Sequence, residues 1–476
     1  MLRSAATPLL LLAMLIAAVL PGLAAVPAGA QEAAPIDPEW TADAVEIAAG
    51  APVVDFPNGI AFPVAISSDE PIAEIDLLYH AAFDETLTLS AADFDPGTAV
   101  DLTYELDLRD GALPAGLDLR WRWRVTEVDG DVAESPEQVL TWLDTRFSWQ
   151  EVGDGLVTVH FYSGDEAFAR EILAVAEETV ARLSQRFGAE ITEPLRIWVY
   201  GDRDDFLSAQ APNSEQWVAG AAYPWYGLIQ AVLAPGDRAE VLRIIPHEVS
   251  HQVLHQATDN PFNGPPAWLD EGLATLEQGT GKEPMWMRLR AAAAEDRLPP
   301  LRTLNGQFPY DSEGALLAYA QSMAVVDYVI RTYGETGLSD LIAVFREGAA
   351  YDDALQQALG LTTDELDAAW RPGAVEQANR ALAELGGDDG GAIGSVLSDG
   401  QAWLLASGSI VMGGAALAGL VVGWRAWRRS RDLEPDPEIE PAAEGGPNSD
   451  GWSRAAFPAG GEEPRGRLAP RTGSHP

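Results

Sequence analysis

Residues 246–255 read P-H-E-V-S-H-Q-V-L-H and hold three of the six histidines in a chain of 476 residues. Four residues is close to one helical turn, so His247 and His251 on a helix project from the same face. Two imidazoles so placed can share one cation. Glu248 lies about 100° round from His247, near enough for its carboxylate to reach a water held at that cation. A helix that buries such groups needs a third ligand from another part of the chain, and this constrains the fold more than any other stretch.

The chain has no cysteine. Disulfides and thiolate sites are thereby excluded, and a zinc ion would have to be held by His and carboxylate. His247-Glu248-x-x-His251 is the H-E-x-x-H arrangement of two zinc ligands and a general base. His255 is a poor third ligand, because a straight helix carries it about 6 Å further along the axis than His251. The arrangement H-E-x-x-H-x-x-G-x-x-H, in which glycine breaks the helix and a third histidine follows, is excluded by Leu254 and Ala257 at those positions. Glu271, in P-A-W-L-D-E-G-L-A, is the better candidate. Asn260-Pro261 and Gly264-Pro265-Pro266 let the chain reverse, so a second helix from about Pro266 can return Glu271 antiparallel to the first. His, His and Glu leave one position open for water, which marks a catalytic set. Thr275 or Asp270 could hydrogen-bond a ligand histidine from behind.

H-E-V-S-H followed by W-L-D-E-G-L-A resembles the gluzincin zinc metallopeptidases, most closely the peptidase MA-like families related to the M1 aminopeptidases, whose comparable segment reads W-L-N-E-G. The resemblance covers roughly residues 155–372 and takes in L-L-A-Y-A-Q-S-M-A-V-V-D-Y-V-I-R-T-Y-G. It implies zinc (Zn2+) on His247, His251 and Glu271, with Glu248 as base. It also implies a tyrosine that steadies the oxyanion, for which Tyr319 is the first candidate and Tyr310 the second. M1 enzymes carry a G-x-M-E-N strand whose glutamate holds the free amine of the substrate. The comparable place here is Gly220-Ala221-Ala222-Tyr223-Pro224, which lacks that glutamate, so endopeptidase action is expected. The strand can still pair with an extended peptide by β-addition.

Elsewhere, patterning defines the organisation. In G-L-D-L-R-W-R-W-R-V-T-E-V, Leu117, Leu119, Trp121, Trp123 and Val125 alternate with polar residues, and Asp129-Gly130 supplies a hairpin turn. Val100, Leu102, Tyr104 and Leu106 repeat the alternation. Residues 31–149 therefore read as an all-β sandwich of immunoglobulin/fibronectin-like type, its arginine-tryptophan stripe being a core face with a solvated back. Residues 150–385 read as an α+β peptidase domain, strands first and helices after. Residues 386–401 form a Gly/Asp-rich linker.

Arg3, the run P-L-L-L-L-A-M-L-I-A-A-V-L and A-G-A ending at Ala30 have the form of a secretory signal peptide over residues 1–30, the run being short for a membrane span. Residues 402–424 carry no charge, have Trp403 and Trp424 at their rims and are followed by Arg425, Arg428, Arg429 and Arg431. They read as a single transmembrane helix that leaves the N-terminal part outside and a disordered tail, 425–476, in the cytoplasm. The multidomain chain is thus expected in the cell membrane as a single-pass type I protein. A net charge of −43, with Lys282 as the one lysine, argues against nucleic acid as a partner. The expected function is hydrolysis of a peptide or protein substrate. The competing readings are a catalytically silent peptidase fold that binds or senses at the cell surface, and an aminopeptidase.

Overall fold

The computed structural model describes residues 40–42, 45–81, 86–109, 113–210, 219–262, 264–309 and 311–386. The expected signal peptide, transmembrane segment 402–424 and tail lie outside the described residues. Among the described residues, no helix is long and apolar enough to cross a membrane.

The N-terminal part is built from β1 (Trp40–Ala42), β2 (Val45–Ala49), β3 (Val53–Asp55), β4 (Gly59–Ser68), β5 (Ile72–Ala81), β6 (Thr88–Ala91), β7 (Ala99–Asp107), β8 (Leu117–Glu127), β9 (Val132–Glu134) and β10 (Gln138–Trp142). One antiparallel sheet has β4 at its centre. β7 pairs along its length, β2 and β3 pair with its two ends, and β1 extends β2. The other has the order β6-β5-β8, with β9 and β10 pairing successive parts of β8. The chain changes sheet between β4 and β5, β6 and β7, and β7 and β8. The N-terminal part is thus two antiparallel sheets with a common apolar core.

Strand β8 shows why the two sheets close. Leu117, Leu119, Trp121, Trp123 and Val125 are all buried, and the Trp121 ring meets Phe62 of the facing sheet at 5.0 Å. On its other face Arg122 bonds Glu134 at 2.8 Å and Arg120 bonds Glu137 at 3.1 Å. Such half-exposed pairs are worth about 0–1 kcal/mol each, against roughly 1.5–3 kcal/mol for each large side chain buried. The indoles decide the packing and the arginines keep its back wet.

The second part begins with a mixed sheet, β11 (Gln150–Val152), β12 (Val157–Phe161), β13 (Leu195–Tyr200), β14 (Gly220–Tyr223) and β15 (Leu228–Val232), in the order β11-β12-β13-β15-β14. Helix α1 (Glu166–Phe187), capped by Asp165, is the crossover that makes β12 and β13 parallel. β14 and β15 form an antiparallel pair, and β14 is at one edge of the sheet among the described residues. After α2 (Arg203–Leu207) and the last strand come α3 (Arg238–Thr258), α4 (Ala267–Glu277), α5 (Lys282–Ala294), α6 (Ser312–Arg346), α7 (Tyr351–Leu359), α8 (Thr363–Trp370) and α9 (Ala374–Glu384). Helix α6 is broken at Gly334, whose φ of 76° takes it out of the helical region.

Both faces of this sheet are covered, which accounts for the near-continuous apolar run of β13. Val159, Ile197, Val199 and Ile229 pack with the helices. Trp198, Tyr200, Ala221, Tyr223 and Leu228 belong to the same apolar cluster as the sandwich interior. Arg196 pairs with Asp118 at 2.5 Å, and Trp149 donates to the Asp144 carbonyl at 2.9 Å and stands edge-on to Trp198 and Tyr200. Gly116, at φ 90°, lies so close to the Trp198 indole that a Cβ there would overlap it. Because this core is continuous, Trp198→Ala is expected to cost about 3–5 kcal/mol. In chemical denaturation, probes in the sandwich and in the helical part should then shift together; a shift confined to one of them would contradict a shared core.

Candidate metal centre

Helix α3 starts at Asp237, whose side chain accepts from the Glu240 amide at 3.1 Å. Pro246 sits inside it, immediately before His247. Proline has no N–H, so it leaves the Leu242 carbonyl without its helical donor. That carbonyl accepts from the Gly279 amide at 2.8 Å, and Thr280 Oγ1 donates to the Ala239 carbonyl at 2.7 Å. The end of α4 is thereby tied to the turn before His247. At its middle, α4 meets α6 closely: a Cβ on Gly272 would lie 2.5 Å from the Ser322 carbonyl oxygen. Glycine lets the two helices approach, and Tyr319 OH, one turn before Ser322, donates to Glu271 Oε1 at 3.4 Å.

These constraints bring His247, His251 and Glu271 together. Glu271 Oε2 lies 3.6 Å from His247 Nε2 and 3.5 Å from His251 Nε2. All three atoms are buried, and none has a hydrogen-bond partner among the described residues. An orphaned buried polar atom costs about 1–3 kcal/mol. Ligands about 2.0–2.1 Å from a tetrahedral zinc would stand roughly 3.4 Å apart. The donor set, its spacing and its lack of other partners fit such an ion.

The far sides of the ligands are held as well. His251 Nδ1 lies 2.6 Å from Asp270 Oδ1, which fixes the proton on Nδ1 and turns the Nε2 lone pair inward. Of the two expected supports, Asp270 takes this place; the Thr275 hydroxyl is buried and bonds neither histidine. Gln278 Nε2 lies 3.0 Å from His247 Nδ1, and the backbone of Ala274 also bonds this imidazole. Sequence spacing missed Gln278. The internal Pro246 was the available signal, since it releases the carbonyl that anchors the next residue, Gly279.

Burial pushes the His247 pKa well down, aided by the charges of His251 and Arg243. Burial also works against a charge on His251, but Asp270, Glu271 and Glu248 outweigh it and hold its pKa up at about 10. Burial, with Asp270 and Glu248, raises Glu271. A cation at the three inward atoms would reverse the last two shifts, by favouring the carboxylate and competing with the imidazole proton.

Glu248 is fully buried and lies under β14, where Gly220 has no Cβ and leaves room for its carboxylate. His255 is half-buried on the same helix with its ring edge-on to Trp225 at 4.3 Å, apart from the three ligand atoms. Tyr310 lies outside the described residues.

The sequence model of the Peptidase MA superfamily matches residues 175–376, from within α1 to α9, and this segment contains His247, Glu248, His251, Glu271 and Tyr319. Over this segment, somewhat less than half of the chain, the protein is similar to the Peptidase MA superfamily. Similar solved structures include two of an M1 zinc metallopeptidase from Deinococcus radiodurans. A mutant bound to a Tyr-Ser-Ala substrate is 13% identical over 66% of this chain and 90% of that one, with a TM-score of 0.31. A second structure of that metallopeptidase is 12% identical over 68% and 89%, with a TM-score of 0.29. No curated protein matches the sequence.

Asp270→Asn is expected to weaken zinc binding by about 10–100-fold without loss of the fold, read by competition with a chelator. Zinc affinity should rise with pH between 6 and 8. His251 is held protonated up to about 10, so binding must displace a proton, and higher pH makes that easier. Calorimetry in buffers of different ionisation enthalpy checks the release.

Proposed function

We propose that the protein is a zinc-dependent peptidase that hydrolyses peptide bonds in an extended peptide or protein substrate, acting as an endopeptidase. The observation that carries this reading is the set of three buried, unpartnered ligand atoms with Glu248 on the adjacent turn. His247, His251 and Glu271 would hold the ion. Bound there, zinc supplies Lewis acidity and lowers the pKa of water towards about 7.

The remaining steps belong to the chain's own side chains. Glu248 takes the proton of the attacking water and passes it to the leaving amine. The Tyr319 hydroxyl, beside Glu271, is the donor for the developing oxyanion. Among the described residues, the outer edge of β14 has no strand partner in the sheet order, and an extended substrate could add there. That strand reads Gly220-Ala221-Ala222-Tyr223 and offers no carboxylate for a free amine; the Tyr223 hydroxyl is instead directed to Gln210 at 2.9 Å. This favours internal bonds over N-terminal ones. We place the enzyme at the cell membrane in type I orientation, on the strength of residues 1–30 and 402–431 in the sequence.

Glu248→Gln should lower peptide turnover by at least about 100-fold while one zinc per chain is retained, measured with quenched peptides and by metal analysis; undiminished turnover would remove Glu248 from the mechanism. N-acetylated and free-amine forms of one peptide should be cut at similar rates. A strong preference for the free amine would instead establish an aminopeptidase.

A further inference from the structure

The edge strand β14 is held from an unexpected direction. Gln230 of β15 is fully buried, and Gln210 and Tyr223 nearly so. Gln230 Nε2 donates to the Ala115 carbonyl of the sandwich at 2.7 Å. Gln210 Nε2 donates to Gln230 Oε1, and Tyr223 OH donates to Gln210 Oε1 at 2.9 Å.

The direction of every bond in this chain is forced. A carbonyl only accepts, so the Gln230 amide must turn its NH2 group to Ala115 and its oxygen to Gln210. Gln210 must then present its NH2 group to Gln230 and its oxygen to Tyr223, whose hydroxyl must donate. A buried relay with one permitted polarity behaves as a fixed spacer, because reversing any member leaves a buried polar atom unpaired.

The relay runs from the sandwich to the last residue of β14. Side chains of Ala221 and Tyr223 belong to the sandwich cluster, whereas Gly220, at the start of the strand, lies against the Glu248 carboxylate. β14 is four residues long and has one sheet neighbour among the described residues, β15. Its height above Glu248 is therefore set on one side by α3 and on the other by the sandwich.

We propose that the sandwich is a working part of the substrate cleft and that Gln230 is its positioning residue. Through Ala115, Gln230, Gln210 and Tyr223 it sets where β14, and a peptide paired to β14, lies relative to Glu248. The proposal rests on the peptidase reading for its consequence in turnover but not for its consequence in the strand itself.

The test compares zinc-loaded full-length protein with Gln230→Met, Gly116→Ala and Tyr223→Phe. Gly116→Ala acts from the sandwich side, by pushing its loop off Trp198. Tyr223→Phe removes one hydroxyl at the other end and keeps the experiment decisive if a larger change prevents folding. Amide hydrogen exchange over residues 219–223 should rise about tenfold or more in each variant, with β12 and α4 unchanged and zinc content unchanged. For peptides long enough to span β14, KM should rise by about tenfold with kcat little altered, and peptides too short to reach it should be unaffected. Unchanged exchange in β14, or an equal rise throughout the sheet, would overturn the relay. A wild-type protein that cuts no peptide would remove the peptidase reading, and the exchange data would still judge the positioning role.

Discussion

Three polar atoms meet in a dry interior, the Nε2 atoms of His247 and His251 and one oxygen of Glu271, and none finds a hydrogen bond among the described residues. A folded chain tolerates one such orphan at a cost of about 1–3 kcal/mol; three converging on one point is an arrangement with a purpose. Much of the helical half can be read as the means of keeping them there. Pro246 frees the Leu242 carbonyl for Gly279, Gly272 admits α6, and Asp270 and Gln278 fix the rings from behind. Each is a small local peculiarity, a helix proline, a helix glycine, a buried amide, that would lower stability on its own. Their costs make sense as parts of one site.

The sheet beneath this site is buried on both faces, and its two faces belong to different parts of the chain. Helices α1 and α3 cover one side and the sandwich covers the other. A sandwich tethered by a flexible linker would leave the lower face of β13 in water, with Trp198 and Tyr200 exposed. The shared aromatic core around Trp149, Trp198 and Tyr200 makes the N-terminal part a structural element of the helical half. The whole chain carries a net charge of −43, and a field of that sign attracts cations.

Much is legible in the amino-acid sequence alone, because it depends on spacing along one element. The period-two run of β8 is a local signal, and the structure has the strand where the sequence places it. The pairing of His247 with His251 follows from helical geometry, and the proline-rich reversal before α4 is enough to bring Glu271 back as a candidate. Composition and periodicity say nothing about how the sandwich docks, since Ala115, Gly116 and Gln230 carry no pattern that distinguishes a surface loop from an interface.

The choice between Asp270 and Thr275, five residues apart on α4, cannot be made from sequence either; it depends on the rotation of α4 about its axis. That rotation is set by the contacts of Gly279 with Leu242 and of Gly272 with Ser322, each between residues well separated along the chain. The sequence by itself determined which elements form, which faces are apolar and which residues carry ligand chemistry, because these depend on neighbours within a turn or two. Only the tertiary structure decided what supports those ligands and what holds the edge strand over Glu248. Such positions are fixed to tenths of an ångström by packing between distant segments, and no local pattern encodes packing of that kind.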